Sequence, residues 1–214
     1  MPCREIENYS FGGRRDKINA PDHVPAGSRA AIASSFCRKL APVIEIRTET
    51  TEDLPAIRKV LQDAFRPSQK EACLVELLRR AQKATLSLVA LSEGQIVGQV
   101  MFSPVAIVPA SPAANGGLGL APAAVSPAFQ GRGIGTQLIR HGLRECQNLG
   151  SGWVVVLGNP HFYSRFGFRC ASEYHITNEY GAQADFMVLE IRADVLQGIR
   201  GMVKYRPEFH AAGC

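Results

Sequence analysis

Three glycines at alternate positions, Gly131, Gly133 and Gly135, head an otherwise good amphipathic helix in the segment "SPAFQGRGIGTQLIRHGL". Glycine costs roughly 1 kcal/mol relative to alanine inside a helix, so three of them at a helix start need a compensating use. A glycine-rich turn between a strand and a helix offers one. It aims several backbone N–H groups and the positive end of the helix dipole at one point, where phosphate can sit. Glycine suits that turn because it admits positive φ and lets a ligand approach the main chain. The chain must then contain a strand, a phosphate-sized loop and a helix in succession.

Spacing separates the loops that use this physics. A P-loop needs G-x-x-x-x-G-K-[ST], and no lysine lies in or directly after this loop. A dinucleotide fingerprint needs G-x-G-x-x-G. Counting from Gly131, its last position is Thr136, and no acidic residue follows at the distance that would hold a ribose. The form Q/R-x-x-G-x-G/A is matched in full by Gln130, Gly131, Arg132, Gly133, Ile134 and Gly135.

The elements around the loop follow from periodicity. "VIEIR" from Val43 alternates as a half-buried strand does. "TETTEDLPAIRKVLQDAF" offers Thr50 or Thr51 as N-cap and Leu54, Ile57, Leu61 and Phe65 at helical spacing, with Pro67 closing it. "EACLVELLRRAQ" from Glu71 predicts a second helix. "LSLVAL" and "IVGQVMFSPV" flank "SEGQ" and predict an antiparallel hairpin. A Pro, Ala and Gly-rich loop spans 109–117. "LGLAPAAV", a helix from about Arg132 to Asn148, and the strands "WVVVLG" and "FMVLEI" follow. A hairpin ahead of alternating strands and helices predicts an α/β chain with a mixed sheet covered by helices.

Composition narrows the class. Of the 214 residues, 46% are apolar and 20% charged, ordinary for a soluble globular protein, and no apolar run approaches a membrane span. Cys3, Cys37, Cys73, Cys146, Cys170 and Cys214 form no C-x-x-C pair and no Cys/His cluster at zinc spacing. The N-terminus lacks a secretory apolar region, so the expectation is a reduced, cytoplasmic chain without metal. The net charge is +5, of which +3 falls in residues 1–42, leaving a nearly neutral body. That balance argues against a nucleic-acid partner, which calls for a concentrated basic face. Residues 1–42 show no sustained period and read as a flexible extension, with "SRAAIASSFCRKL" only faintly like a transit peptide because acidic residues precede it.

The Gln130–Gly135 motif resembles the pyrophosphate-binding motif of the GNAT superfamily of N-acetyltransferases. A second motif strengthens the likeness: "FYSRFGF" has the Y-x-x-x-G-F form from Tyr163 to Phe168 and follows the loop after a helix and an apolar strand, in the family's order. The resemblance spans roughly 43–209, most closely a bacterial branch of acetyltransferases with no settled substrate, leaving 210–214 as a short tail. It implies a mostly antiparallel sheet that splays between its fourth and fifth strands, with helices on both faces.

The resemblance also implies roles. Acetyl-CoA would lie in the splay, with Ala124, Val125 and Ser126 pairing with its pantetheine arm. Gln130, Gly131, Arg132, Gly133, Ile134, Gly135 and Thr136 would cradle the pyrophosphate. A strand amide near Val125 would serve as oxyanion donor, and Tyr163 matches the family's general acid for the leaving thiolate. Asn159 is assigned a cofactor contact, although it stands four residues before the tyrosine where the family asparagine stands seven. Relatives place a glutamate on the fourth or fifth strand as base; "LGLAPAAV" and "WVVVLG" carry none. A water, a backbone carbonyl or a loop residue must act instead, with His161, Glu173 and His175 the side chains near in sequence. His141 and Cys146 read as structural. The implied reaction is direct transfer of acetyl to a primary amine of a small molecule or protein, without metal. An acyl-CoA-binding regulatory module without turnover is the competing reading, acceptor identity is assigned to 66–72, 109–117 and 171–185, and a homodimer is left open.

Overall fold

A computed structural model describes residues 43–109 and 115–214. The N-terminal extension and the middle of the expected loop at 109–117 lie outside the described residues. In chain order the elements are β1 (Ile44–Thr48), α1 (Leu54–Ala64), α2 (Lys70–Arg80), β2 (Leu86–Ser92), β3 (Gln95–Pro104), β4 (Ala106–Val108), β5 (Gly117–Val125) and α3 (Ile134–Asn148). They continue with β6 (Trp153–Leu157), α4 (Pro160–Tyr163), β7 (Arg169–Cys170), β8 (Ile176–Asn178), β9 (Phe186–Glu190), β10 (Gly201–Lys204) and α5 (Pro207–Ala212).

Local chemistry accounts for the first of these. The main-chain N–H of Thr50 donates to Asp53 Oδ2 at 2.6 Å, capping the short 3-10 turn that leads into α1. Pro55 then sits in the first turn, where its missing N–H costs nothing. Ile57, Val60 and Leu61 form the buried stripe of α1. Between β2 and β3 the turn residues Glu93 and Gly94 have φ of 51° and 77°, the left-handed pair a two-residue hairpin demands.

Seven strands form one sheet in the order β1-β2-β3-β5-β6-β9-β7, and β4-β10-β8 form a second. Within the large sheet every pairing is antiparallel except β5 with β6. One face is covered by α3, whose Ile134, Leu138 and Ile139 meet Leu88, Phe102, Leu118 and Val154. On the other, α1 and α2 pack on Val89 and Met101, while the small sheet packs on Trp153, Val155 and Val188. Helices on both faces of a mostly antiparallel sheet are what the family resemblance implies.

The pairing of β5 with β6 covers only Gly117–Gly119 against Trp153–Val155. Beyond it β5 runs on to Val125, still paired with β3 as far as Gly98, while β6 stays with β9 as far as Leu157. The two parallel strands therefore fork. Ala121 and Pro122 together oppose the single residue Met101, a bulge that bends β5 there. The short β4 shifts the count, so the expected splay between fourth and fifth strands is that between β5 and β6.

Candidate active site

The loop that leaves β5 is bound to itself through side chains and leaves its main chain open. Gln130 Nε2 donates to the carbonyl of Val125 at 3.0 Å, tying the loop to the strand end. Arg132 Nη2 donates to the carbonyl of Ala128 at 2.9 Å, and its guanidinium lies 5.0 Å from the Phe129 ring. By contrast, no hydrogen bond among the described residues is donated by the main-chain N–H groups of Gly131, Arg132, Gly133, Ile134, Gly135 or Thr136. The first amide satisfied within α3 is that of Gln137, which donates to Gly133 at 3.0 Å. Six consecutive unspent donors at the N-terminus of a 15-residue helix make an anion cradle.

Backbone conformation, rather than space, explains the first two glycines. A Cβ on Gly131 or Gly133 would meet nothing within 4 Å, but their φ values are +75° and +77°. These left-handed residues turn the amides outward. Gly135 has an ordinary φ, and its Cβ would rest 3.6 Å from Val125, in normal contact.

The strand end supplies another donor. Ser126 N–H donates to Val97 of β3 at 2.8 Å. Main-chain groups alternate sides along a strand, so Val125 turns its own N–H and carbonyl to the fork edge. Its carbonyl is taken by Gln130, and β6 has already diverged, leaving the N–H facing the fork.

Tyr163 stands on the far arm. Gly158 closes β6, and Asn159 accepts from His161 N–H at 2.9 Å to cap the single turn of α4. Tyr163 N–H donates to the Asn159 carbonyl at 3.1 Å. Its ring meets Phe162 and Phe168 edge-on, with centroids 5.0 and 5.7 Å away, and packs on the cluster that contains Val125, Ile134 and Val156. A Cβ on Gly158 would approach Tyr163 Cε2 to 2.6 Å, so the phenol rests directly on that glycine.

Comparison with known proteins completes the description. The sequence matches the acetyltransferase (GNAT) domain family over residues 45–171. It is 38% identical over 167 residues to the uncharacterized N-acetyltransferase YhbS of Escherichia coli K12, a match covering 77% of this chain and 98% of that one. The chain belongs to the GNAT family. The crystal structure of E. coli YhbS in complex with CoA is 36% identical, with a TM-score of 0.75, over 80% of this chain and 94% of the other. A GNAT acetyltransferase from Brucella melitensis solved with acetyl-CoA is 38% identical, with a TM-score of 0.66, over 79% and 99%.

Within this GNAT domain the sequence-predicted residues fall into two groups. Ala124, Val125 and Ser126, the loop from Gln130 to Thr136, and Tyr163 all border the fork or pack on the cluster beneath it. Asn159 lies in the turn after β6 with its oxygen engaged in capping. Of the three side chains considered as base, two lie away from the fork and His161 stands on α4. His161 is exposed. Glu173 is ion-paired with Arg169. Glu173 and His175 both line a cleft of about 360 Å³ whose walls include no residue of β5, the loop or α4. Cys146 is buried in the core, and burial pushes its thiol up to about 12, which suits a structural residue. No group of metal-ligating side chains occurs among the described residues, and none of their helices is long and apolar enough to cross a membrane. Sequence reading passed over Gly158, whose one signal is a glycine directly after the apolar run "WVVVL", and over the use of the Gln130 side chain as a strap.

Proposed function

We propose that this chain transfers the acetyl group of acetyl-CoA to a primary amine of a small molecule or protein. The observation that carries this reading is the run of six unspent amides from Gly131 to Thr136 beside a forked strand pair. The pyrophosphate sits on those amides, with Arg132 adding positive charge nearby and Gln130 holding the loop in place. The pantetheine arm lies along Ala124, Val125 and Ser126, replacing the ladder that β6 abandons, and Asn159 meets it from the other arm.

The thioester carbonyl then points at Val125 N–H, which stabilises the developing oxyanion. The amine lone pair forms the new C–N bond and the C–S bond breaks with its electron pair on sulfur. Tyr163 gives that sulfur its hydroxyl proton, the nitrogen releases its surplus proton to water, and the tyrosinate takes a proton back from water. A thiol of pKa about 8.5 is a tolerable leaving group beside a phenol of about 10, so Tyr163 assists a step that can proceed slowly without it.

Relatives named as N-acetyltransferases, one of them solved with acetyl-CoA, favour turnover over a binding-only module. The proposal includes a cytoplasmic location, where acetyl-CoA is at hand and the free thiols of Cys73, Cys146, Cys170 and Cys214 stay reduced. It also treats residues 1–42 as an extension outside the catalytic domain, and a homodimer as an arrangement that light scattering checks. Calorimetric titration with acetyl-CoA should show saturable binding, and thiol release should follow on adding amines. Binding without release from any amine would overturn the transferase reading in favour of the binding module.

A further inference from the structure

The segment 171–185, one of those to which acceptor identity is assigned in the sequence, leaves the fork and returns to it. Glu173 and His175 line the remote cleft, but the last residue, Asp185, joins an arm of the fork. Gly158 N–H donates to the Asp185 carbonyl at 2.9 Å, which carries the β6–β9 ladder one step past Leu157 and Phe186. Met187 belongs to the cluster on which Tyr163 packs, and Asp185, two residues earlier, falls in the same row of the pleat. A Cβ on Gly158 would stand 3.6 Å from Tyr163 Cζ, the carbon that bears the hydroxyl. Asp185 is therefore one strand spacing, about 4.8 Å, beyond the residue beneath that hydroxyl.

The Asp185 carboxylate is exposed and uncommitted. Among the described residues, the acidic side chains without a hydrogen bond or ion pair are Glu45, Glu52, Glu93, Asp185 and Asp194. Glu45 lies on β1, Glu52 in the turn before α1, Glu93 in the β2–β3 turn and Asp194 in the remote cleft. Asp185 alone of these is bonded through its main chain to an arm of the fork. Arg165, two residues after Tyr163, is turned onto the Phe162 ring at 4.5 Å and donates Nε to the Phe162 carbonyl at 3.2 Å. Neither it nor the exposed His161 on α4 is paired with Asp185.

A carboxylate one to two strand spacings from the hydroxyl that serves the sulfur, on the order of 5–10 Å, is too distant to touch the nitrogen attacking the thioester. Holding that nitrogen would also favour its ammonium form, which has no lone pair to attack with. The carboxylate is placed instead to meet a charge that lies a short carbon chain away from the reacting amine. We propose that Asp185 is a specificity residue for the acceptor, and that the acceptor is a primary amine carrying a second positive charge, as a short diamine does. This rests on the acetyltransferase reading. The far ammonium rests on Asp185 while the near nitrogen, as the free amine, enters the fork.

The full chain tests this with acetyl-CoA and three five-carbon amines whose far ends differ: cadaverine with an ammonium, pentylamine with a methyl and δ-aminovalerate with a carboxylate. Thiol release gives kcat/KM for each. An exposed ion pair is worth about two- to fivefold, so cadaverine should lead pentylamine by that margin on top of the factor of about two that its second amine supplies, and δ-aminovalerate should come last. Asp185→Asn should remove the margin while leaving pentylamine turnover and the acetyl-CoA Kd unchanged. Asp185→Lys should move the preference to δ-aminovalerate, and added salt should narrow both preferences. A merely structural aspartate would lower all three rates and Tm together, and that result overturns the assignment, as does a cadaverine margin that survives Asp185→Asn. If pentylamine reacts as well as cadaverine in the unaltered chain, the acceptor class falls and the transferase reading stands. If acetyl-CoA does not bind, or binds without release from any amine, the transferase reading falls as well.

Discussion

Tyr163 is held where it stands by a glycine beneath its ring and phenylalanines at its edges. Replacing it with Phe keeps these contacts and removes only the hydroxyl that the proposed mechanism uses as proton donor. The expected loss is in kcat, about 10²- to 10⁴-fold and short of abolition, with the acetyl-CoA Kd unchanged by calorimetry. Gly158→Ala tests the positioning separately. The added methyl would stand 2.6 Å from Tyr163 Cε2, so the phenol must shift. A fall in kcat with Tyr163 intact would show that its place, and not only its presence, matters. A Gly158→Ala enzyme of normal kcat would remove Gly158 from the site. The Y-x-x-x-G-F pattern made Tyr163 legible in the sequence. Gly158 was not, because it works through a contact between elements that no local spacing encodes.

In the proposed function the loop before α3 works through its conformation, and its three glycines are not equivalent. An L-residue at positive φ costs roughly 1–2 kcal/mol, and relaxing that strain would turn the amides away. Gly131→Ala and Gly133→Ala should each weaken CoA binding about tenfold or more. Gly135→Ala should leave it nearly unchanged, since φ is ordinary and the contact with Val125 is 3.6 Å. Equal effects at all three positions would mean that close approach, rather than amide direction, governs binding. The start of α1 makes a prediction about acid. Asp53 is held by Arg47 at 2.6 and 2.9 Å, and this guanidinium, ahead of the Thr50 groups, keeps its carboxyl well below the usual carboxylate range. A depressed native pKa gives stability that is complete above the unfolded value of about 3.9 and is lost as pH falls towards the native one. Asp53→Asn should therefore destabilise the chain at neutral pH and flatten the fall in Tm below about pH 4. The long strands and α1 to α3 were legible because their apolar periods run for several residues. The trio β4, β8 and β10 was not: strands of three or four residues hold too few alternations to register a period. Their pairing also joins segments nearly a hundred residues apart.

At the scale of the molecule, the sheet is joined across the fork by three residue pairs, with α3 and its apolar cluster bridging above them. Below that seam, β5 follows β3 while β6 follows β9, and each exposes a strand edge to the gap. Acetyl-CoA in the gap would pair with one edge through its pantetheine amides and lie against the other, making it a cross-brace between the two halves. A ligand that binds the native chain alone stabilises it by about 2.7 kcal/mol at a hundred times its Kd. For a chain of this size that should raise Tm by roughly 5–10 °C, at about 2–4 °C per kcal/mol. If the brace spans the fork, CoA should raise Tm more than adenosine 3′,5′-bisphosphate does when each is present at a hundred times its own Kd. Mass action alone gives equal shifts under that condition, so an excess for CoA reports fork halves that separate in partial unfolding and that only the full ligand holds together. Equal shifts would place the whole stabilising effect at the phosphate end and leave the fork halves one cooperative unit without it.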